Sequence, residues 1–388
     1  MALLELIDYD VLRVIWWLLL GVVLIGFAIT DGFDLGVAAL LPFLPSGDVE
    51  HRIAINSVGP VWEGNQVWLL LGGGAIFAAW PTLYAVSFSG FYLAMFAILF
   101  ALILRPVGFK YRSKIESGVW RKTWDLLLFI GGFVPSLIFG VAIGNVLQGV
   151  PFRITDELQV FYDGTFFGLL NPFALACGVL SLLMLVTHGA AWLVLKTEGP
   201  VNRRARAIGQ VTALFTVIMF VSCGAWLFLW PGGEPIGYEI TSFIPDNGPS
   251  NPTFKEVARG TVSWFHNYGV YPWMVLAPAL GVIGSLATFV LLRKNKEGWS
   301  FISSSIAELG IISTVGLSMF PIILPSSEQL NAALTVWDSS SSETTLFNML
   351  IVTLVFVPIV LAYTSWVYYK LWGKVDEDDI RDERTHAY

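Results

Sequence analysis

From Val67 to Leu104 the chain runs thirty-eight residues without an Asp, Glu, Lys or Arg. As one helix that run would be about 57 Å long at 1.5 Å per residue, against a hydrocarbon core of about 30 Å. It must therefore hold parts of two membrane spans. Trp80-Pro81 marks the break, because proline stops a helix and tryptophan sits well at a membrane interface. The whole chain has the same character: 55% of its 388 residues are apolar and 13% charged, where a soluble domain carries about 25% charged residues. The expected class is an all-α integral membrane protein.

The same reasoning along the chain predicts nine transmembrane helices, near 11–41, 52–79, 82–105, 122–146, 168–195, 205–230, 270–292, 300–323 and 346–371. Residues 1–372 thus form one transmembrane domain, and 373–388 a charged, solvated, partly disordered tail ("KVDEDDIRDER"). "MALLELIDYD" is acidic where a signal peptide needs a positive start, so the first span is expected to stay in the mature chain. Eighteen of the 22 Lys and Arg residues fall on the side reached after spans 1, 3, 5, 7 and 9. Only Arg13, Arg153, Lys255 and Arg259 lie opposite. The positive-inside rule then places the N-terminus outside and the C-terminus in the cytoplasm. The longest external loop, 231–267, is polar and too short for a core of its own.

Cofactor signatures are sparse. The glycines Gly72 to Gly74 of "LLGGGAIF" lie mid-span and read as close helix packing rather than a phosphate cradle. Cys177 and Cys223 read as small core residues inside spans. Of four histidines, His51, His266 and His386 lie at or beyond the membrane ends, which leaves His188 on span five. One intramembrane histidine cannot build a bis-histidine haem site, so no metal or haem is expected on this chain. His188 divides evenly between polar packing and proton conduction.

The informative residues are the carboxylates, since charge at membrane depth is expensive and is functional by default. "TDGFDLG" puts Asp31, Asp34 and Thr30 on one helical face. The bland alternative pairs these acids with an arginine such as Arg105. Glu63 in "VWEGNQVW" should lie about 16 Å inside a helix that begins near Arg52. There it would be desolvated enough to exchange protons, or be hydrogen-bonded to Asn65 or Gln66. Glu308 in "SSSIAELG" is a weaker member, with packing or water contact as its plain reading. Asp31, Asp34, Glu63, His188 and Glu308 all fall toward the cytoplasmic half, the pattern of a proton inlet without a complete route across.

Ten stretches, in order, carry a family resemblance: "TDGFDLG", "INSVGPVWEGNQVWL", "FAAWP", "FYLAM", "RPVGFKYRSKIES", "GNVLQGVPF", "LLNPF", "MFPIILPSS", "ALTVWDSSSSETTL" and "YTSWVYYKLWG". Together they resemble subunit II of the cytochrome bd-type quinol oxidases, the cyanide-insensitive branch included, over nearly the whole chain. The resemblance implies two four-helix bundles plus one peripheral helix, in a bacterial inner membrane. It implies a subunit I that carries b-type and d-type haems, oxidises membrane quinol and reduces oxygen to water. A small single-helix accessory subunit and a bound quinone or lipid are further implied companions, and nucleic acid is not among them. By motif position, proton uptake from the cytoplasm would fall on Asp34 and Glu63, with Trp62 and Arg105 lining or orienting the path and Asp31 a weaker member. Some relatives carry aspartate at the position of Glu63, which keeps the carboxylate one methylene shorter. Trp62 also fits ordinary aromatic packing. Trp337 is expected as an interfacial anchor and Asp338 as a cap on the external end of the last span.

Two other readings compete. A proton-coupled secondary transporter would also bury carboxylates, but nine spans do not divide into matching halves. A purely structural scaffold leaves the cost of burying Glu63 unexplained.

Overall fold

The computed structural model describes residues 7–229, 235–242, 245 and 247–381. It is mostly helical. The elements run α1 (Tyr9–Leu40), α2 (Asp48–Val58), α3 (Trp62–Ala79), α4 (Pro81–Gly90), α5 (Tyr92–Tyr111) and α6 (Gly118–Gln148), then the hairpin β1 (Phe152–Ile154) and β2 (Val160–Tyr162). After α7 (Pro172–Lys196) and α8 (Gly199–Phe228) comes a second hairpin, β3 (Tyr238–Ile240) and β4 (Val257–Arg259). Then follow α9 (His266–Val270), α10 (Leu276–Arg293), α11 (Glu297–Met319), a third hairpin of β5 (Ile322–Leu324) and β6 (Leu334–Thr335), α12 (Glu343–Lys370) and α13 (Glu377–Arg381). All three hairpins are antiparallel.

Eight of the described helices are long and apolar enough to cross a membrane. The expected second span is not among them, and it is not one helix. Pro60 has no N–H to donate and its ring crowds the preceding turn, so the chain breaks after α2 and restarts at Trp62. Glu63, Asn65 and Gln66 then crowd the first turns of α3. The third expected span is also interrupted, at Phe91, yet the Phe91 N–H still reaches Ser87 O at 2.9 Å and the helix resumes at once. It continues past Arg105 through Pro106 to Tyr111.

Helix α1 is central, packed against α3, α6, α7 and α11, while α7, α8, α10 and α11 close on one another. Backbones come closest where side chains vanish. A Cβ added to Gly36 would lie 2.0 Å from Leu185 O, and one on Gly189 2.6 Å from Gly36 C. The glycines of "LLGGGAIF" do not serve this purpose: Gly72 meets only Val23 at 3.6 Å and Gly74 meets nothing. Helix α3 lies at the chain's edge, where few helices can touch it. Helix α12 is more peripheral still, burying only Leu346, Phe347 and Leu350. Cys177 and Cys223 are buried free thiols.

The loop expected on the external side, 231–267, does more than its polarity suggested. Its described part buries Ile236, Tyr238, Val257 and Trp264 with Leu147 and Ile322, so it shares a core with the helices it covers. Two buried cations fasten it. Arg13 on α1 donates to Gly248 O at 2.9 Å and Ser340 Oγ at 2.8 Å, and lies over the Tyr9 ring. Lys255 Nζ sits 2.6 Å from Asp338 Oδ2 and donates to Pro252 O. Burial pulls the Lys255 ammonium below its ordinary pKa and Asp338 pulls it back up. Asp338 is thus an ion-pair partner and not the expected cap. Ser342 caps α12, accepting from Thr345 N. Trp337 packs edge-on against Phe320.

The described part of the charged tail is tied down. Val375 N donates to Lys196 O at 2.7 Å, Lys374 pairs with Glu297 at 2.8 Å, and Ile380 is buried. Residues 382–388 lie outside the described residues.

Gly36→Ala should cost more than the roughly 1–3 kcal/mol of ordinary overpacking, because its new methyl meets backbone. Gly21→Ala, where an added Cβ meets nothing within 4 Å, should leave the melting temperature of the detergent-solubilised protein unchanged. Thermal unfolding of the two variants side by side checks the crossing.

Candidate functional site

Asp31 and Asp34, three residues apart on α1, are both fully buried. Arg105 enters from α5 and is fully buried too. Its guanidinium grips Asp31 with two bonds, NH1 to Oδ2 at 3.0 Å and NH2 to Oδ1 at 2.7 Å. Gly131 on α6 leaves room for the arginine stem, since a Cβ there would sit 3.0 Å from Arg105 Cγ. The same NH2 lies 3.9 Å from Asp34 Oδ2, an ion-pair distance without a hydrogen bond. Asp34 Oδ2 accepts instead from Asn65 Nδ2 at 2.8 Å, and Asn65 Oδ1 accepts from the Tyr368 hydroxyl at 2.7 Å. Asp34 Oδ1 is buried with no hydrogen-bond partner among the described residues.

The arrangement is one cation between two acids. Asp31 satisfies the guanidinium's fork, the strongest geometry available to it. A proton on Asp34 would bring the set to neutrality, and an uncompensated buried charge costs several kcal/mol. Trp62 is buried against Phe109 at 5.2 Å, with Arg105 6.0 Å from its ring, so it walls the arginine in. Thr30 stays local, donating to Gly26 O.

A second polar cluster lies on another side of α1. Glu308 on α11 is fully buried and neither carboxylate oxygen has a hydrogen-bond partner. His188 on α7, also fully buried, has Nε2 3.8 Å from Glu308 Oε2 and 3.0 Å from Ile29 O. Its Nδ1 is 2.7 Å from Ser304 Oγ, and its ring stacks on Phe301.

Glu63 belongs to neither cluster. Its side chain is 65% exposed and lies 3.5 Å from Lys110, itself 58% exposed. The helix expected to run from near Arg52 through Glu63 is broken, because Pro60 ends it and makes Glu63 the second residue of a new one. Asn65, expected as a partner for Glu63, turns inward to Asp34. Reasoning from sequence passed over Tyr368 and Ser304, whose only signal was membership in the "YTSWVYYKLWG" and "SSSIAELG" segments. Tyr368 also borders a cleft of about 500 Å³ shared with Pro60, Trp192, Lys196, Trp372 and Lys374. Among the described residues, no group of three or more His, Cys, Asp or Glu side chains gathers at one point.

The family model for cytochrome bd terminal oxidase subunit II matches residues 12–371. The chain belongs to the cytochrome bd terminal oxidase subunit II family. It is 52% identical to the probable cytochrome oxidase subunit 2 of Haemophilus influenzae, over 98% of this chain and all of that one. It is 50% identical to the cytochrome bd-I ubiquinol oxidase subunit 2 of Escherichia coli, with the same coverage. Against the cytochrome bd ubiquinol oxidase subunit 2 of Bacillus subtilis it is 32% identical over 94% of this chain and 97% of that one. The bd oxidase structure from Geobacillus thermodenitrificans shares the fold, with a TM-score of 0.68 at 16% identity over 93% of this chain and 98% of the other. As a bd subunit II, the chain is a component of a terminal oxidase, and the transporter reading falls away.

Arg105→Gln strands two buried acids and should cost about 3–5 kcal/mol of stability. Adding Asp31→Asn should recover most of that loss. Thermal melting of the single and double variants in detergent measures both.

Proposed function

We propose that this chain is the haem-free subunit of a quinol:oxygen oxidoreductase in a bacterial inner membrane, and that it admits cytoplasmic protons for the reduction of oxygen to water. Its relatives are ubiquinol oxidase subunits, which supports membrane quinol as the reductant and a subunit I holding the b-type and d-type haems. The chain crosses the membrane nine times, α3 serving as the second span and α4 with α5 as the third, from an external N-terminus to a cytoplasmic C-terminus. The Lys and Arg distribution supports that orientation. Helices α1, α3, α5 and α6 make one four-helix group and α7, α8, α10 and α11 the other. The exposed helix α12 faces lipid, a bound quinone or a small accessory helix.

The observation that carries the proton reading is the unpartnered Oδ1 of buried Asp34, beside an arginine already committed to Asp31. Protons enter from the cytoplasmic cleft bordered by Tyr368, whose hydroxyl holds Asn65 in place to donate to Asp34. Asp34 takes the proton, while Arg105, Asp31 and Trp62 hold its surroundings fixed. Glu63 stands at the edge of an apolar face that includes Val67, Leu70 and Phe100, all exposed on this chain. Apolar surface of that extent, bordered by an acid, suits a protein partner, so Glu63 is the residue that passes protons on to subunit I. His188 and Glu308 lie off this line.

Asp34→Asn should lower quinol-driven oxygen consumption by about a hundredfold while the reduced-minus-oxidised haem spectrum of the purified complex stays intact. Glu63→Gln should lower turnover as well, with assembly unchanged. Full turnover in both variants, with normal haem content, would remove proton uptake from this subunit's role.

A further inference from the structure

Most buried acids have a partner, since an isolated charge in a dry interior is very costly. Among the described residues Glu308 has no hydrogen-bond partner: both oxygens are buried and unbonded, and His188 Nε2 lies 3.8 Å from Oε2. We propose that Glu308 and His188 together form a proton store, a site that holds one mobile proton between a carboxyl and an imidazole beside the Asp34 inlet. The proposal rests on the proton-uptake reading above for its purpose and on its own geometry for its existence.

That geometry fits two protonation states. Ser304 Oγ lies 2.7 Å from His188 Nδ1 and 2.8 Å from Phe301 O. When Nδ1 lacks a proton, the hydroxyl can donate to it. When Nδ1 carries one, the hydroxyl turns to Phe301 O and accepts from the ring. On the other side, Ile29 O is 3.0 Å from Nε2 and accepts when that nitrogen is protonated. The imidazolium therefore has both N–H groups satisfied, and so does the neutral ring that carries its proton on Nε2; a ring that carries it on Nδ1 turns its bare Nε2 from Ile29 O to accept the Glu308 O–H. Satisfaction in both forms is what a purely structural histidine does not need.

Transfer is a simple proton exchange. In the loaded form Glu308 is a neutral acid and His188 a neutral ring with its proton on Nδ1. The Glu308 O–H bond breaks, its electron pair stays on the carboxylate, and a new N–H bond forms at Nε2. Nothing is oxidised or reduced. Either position of the proton leaves the pair net neutral, whereas its release toward the inlet leaves one carboxylate charge in the buried interior, which favours the return of a proton. The 3.8 Å gap closes by rotation of the glutamate side chain, as proton-transfer contacts commonly tighten only in the reacting state.

The surroundings leave this exchange undisturbed. From α1 the titratable groups are Asp31 and Asp34, bound to Arg105 and Asn65, with Tyr9, Asp10 and Arg13 at the far end. From α7 they are Cys177 and, at the end of the helix, Lys196, which donates to Leu371 O. Helix α10 carries only Arg293, at its end, and α9 only His266 and Tyr268. Helix α8 carries Arg203, Arg204 and Arg206 near its start and Cys223 further on, and α6 carries Arg121, Lys122 and Asp125 near its start. Helix α2 carries Asp48, Glu50, His51 and Arg52, with Arg204 paired to Glu50 and Arg121 to Asp48. Besides Glu308, α11 has only Glu297, paired with Lys374. The link to the inlet is α1 itself. A Cβ on Gly32 would lie 3.7 Å from Glu308 Oε1, and the next residue back is Asp31.

Infrared difference spectroscopy of the purified oxidase complex, on reduction and reoxidation in H2O and D2O, tests the store. The expected result is a carboxylic-acid C=O band that shifts in D2O, disappears in Glu308→Gln, persists in Asp34→Asn and returns at an altered position in Glu308→Asp. The alkaline limb of the oxygen-consumption profile should fall severalfold in His188→Gln, and part of the loss in Glu308→Gln should be recovered by Glu308→Asp. A merely structural pair would change melting temperature and leave the pH profile where it was. The proposal is overturned by a band that survives Glu308→Gln, or by the absence of any such band in the unaltered complex. Full turnover in Asp34→Asn with the Glu308 band intact would instead count against the inlet and leave the store standing.

Discussion

Two carboxylates on one turn of a membrane helix, with one guanidinium to serve them, set the terms for the rest of this protein. The fork of Arg105 can satisfy one acid fully, and Asp31 takes it. Asp34 is left with an amide on one oxygen and nothing on the other. Helices α1, α3, α5 and α12 must all be in place for that set to exist. Losing the α1 or α5 side of the pair would strand a charge at about 3–5 kcal/mol, a large share of the roughly 5–15 kcal/mol that holds a typical domain together, while α3 and α12 supply Asn65 and the Tyr368 hydroxyl that satisfy Asp34 and its amide partner.

Helix α1 divides the interior into two polar compartments. One side presents Asp31 and Asp34 to α5 and α3. The other presents the Ile29 carbonyl and the bare Gly32 to α7 and α11, where His188 and Glu308 meet. Close contact at Gly36 and Gly189 holds α7 against it. Both compartments are buried and shielded by aromatic rings, Trp62 and Phe109 on one side and Phe301 on the other. In such surroundings a carboxyl group is as useful for the proton it can hold as for its charge.

Much of this was legible in the residues. The spacing of Asp31 and Asp34 put them on one face, and Arg105 was the arginine named for them. The helical placement of Glu63 changed for a local reason: Gly59-Pro60 is a helix break three residues upstream, and it outweighed the long uncharged run that follows. Asp338 failed for a nonlocal one. Its partner, Lys255, lies 83 positions away in a loop that sequence polarity presented as solvated. Tyr368 carried no signal of its own, because a tyrosine near the end of a membrane helix reads as an interfacial residue until a neighbour claims its hydroxyl.

The sequence by itself determined the class of protein, the family, the apolar segments and the identity of the costly charges, because hydrophobicity and charge act through composition and local period. Only the tertiary structure decided which acid received the arginine, that Asn65 turned to Asp34, that Glu63 stayed at the surface and that His188 met Glu308. Those outcomes depend on which helix faces which, and on glycines that let backbones approach within contact distance. Such pairings are chosen by the packing of the whole chain, and no single segment contains them.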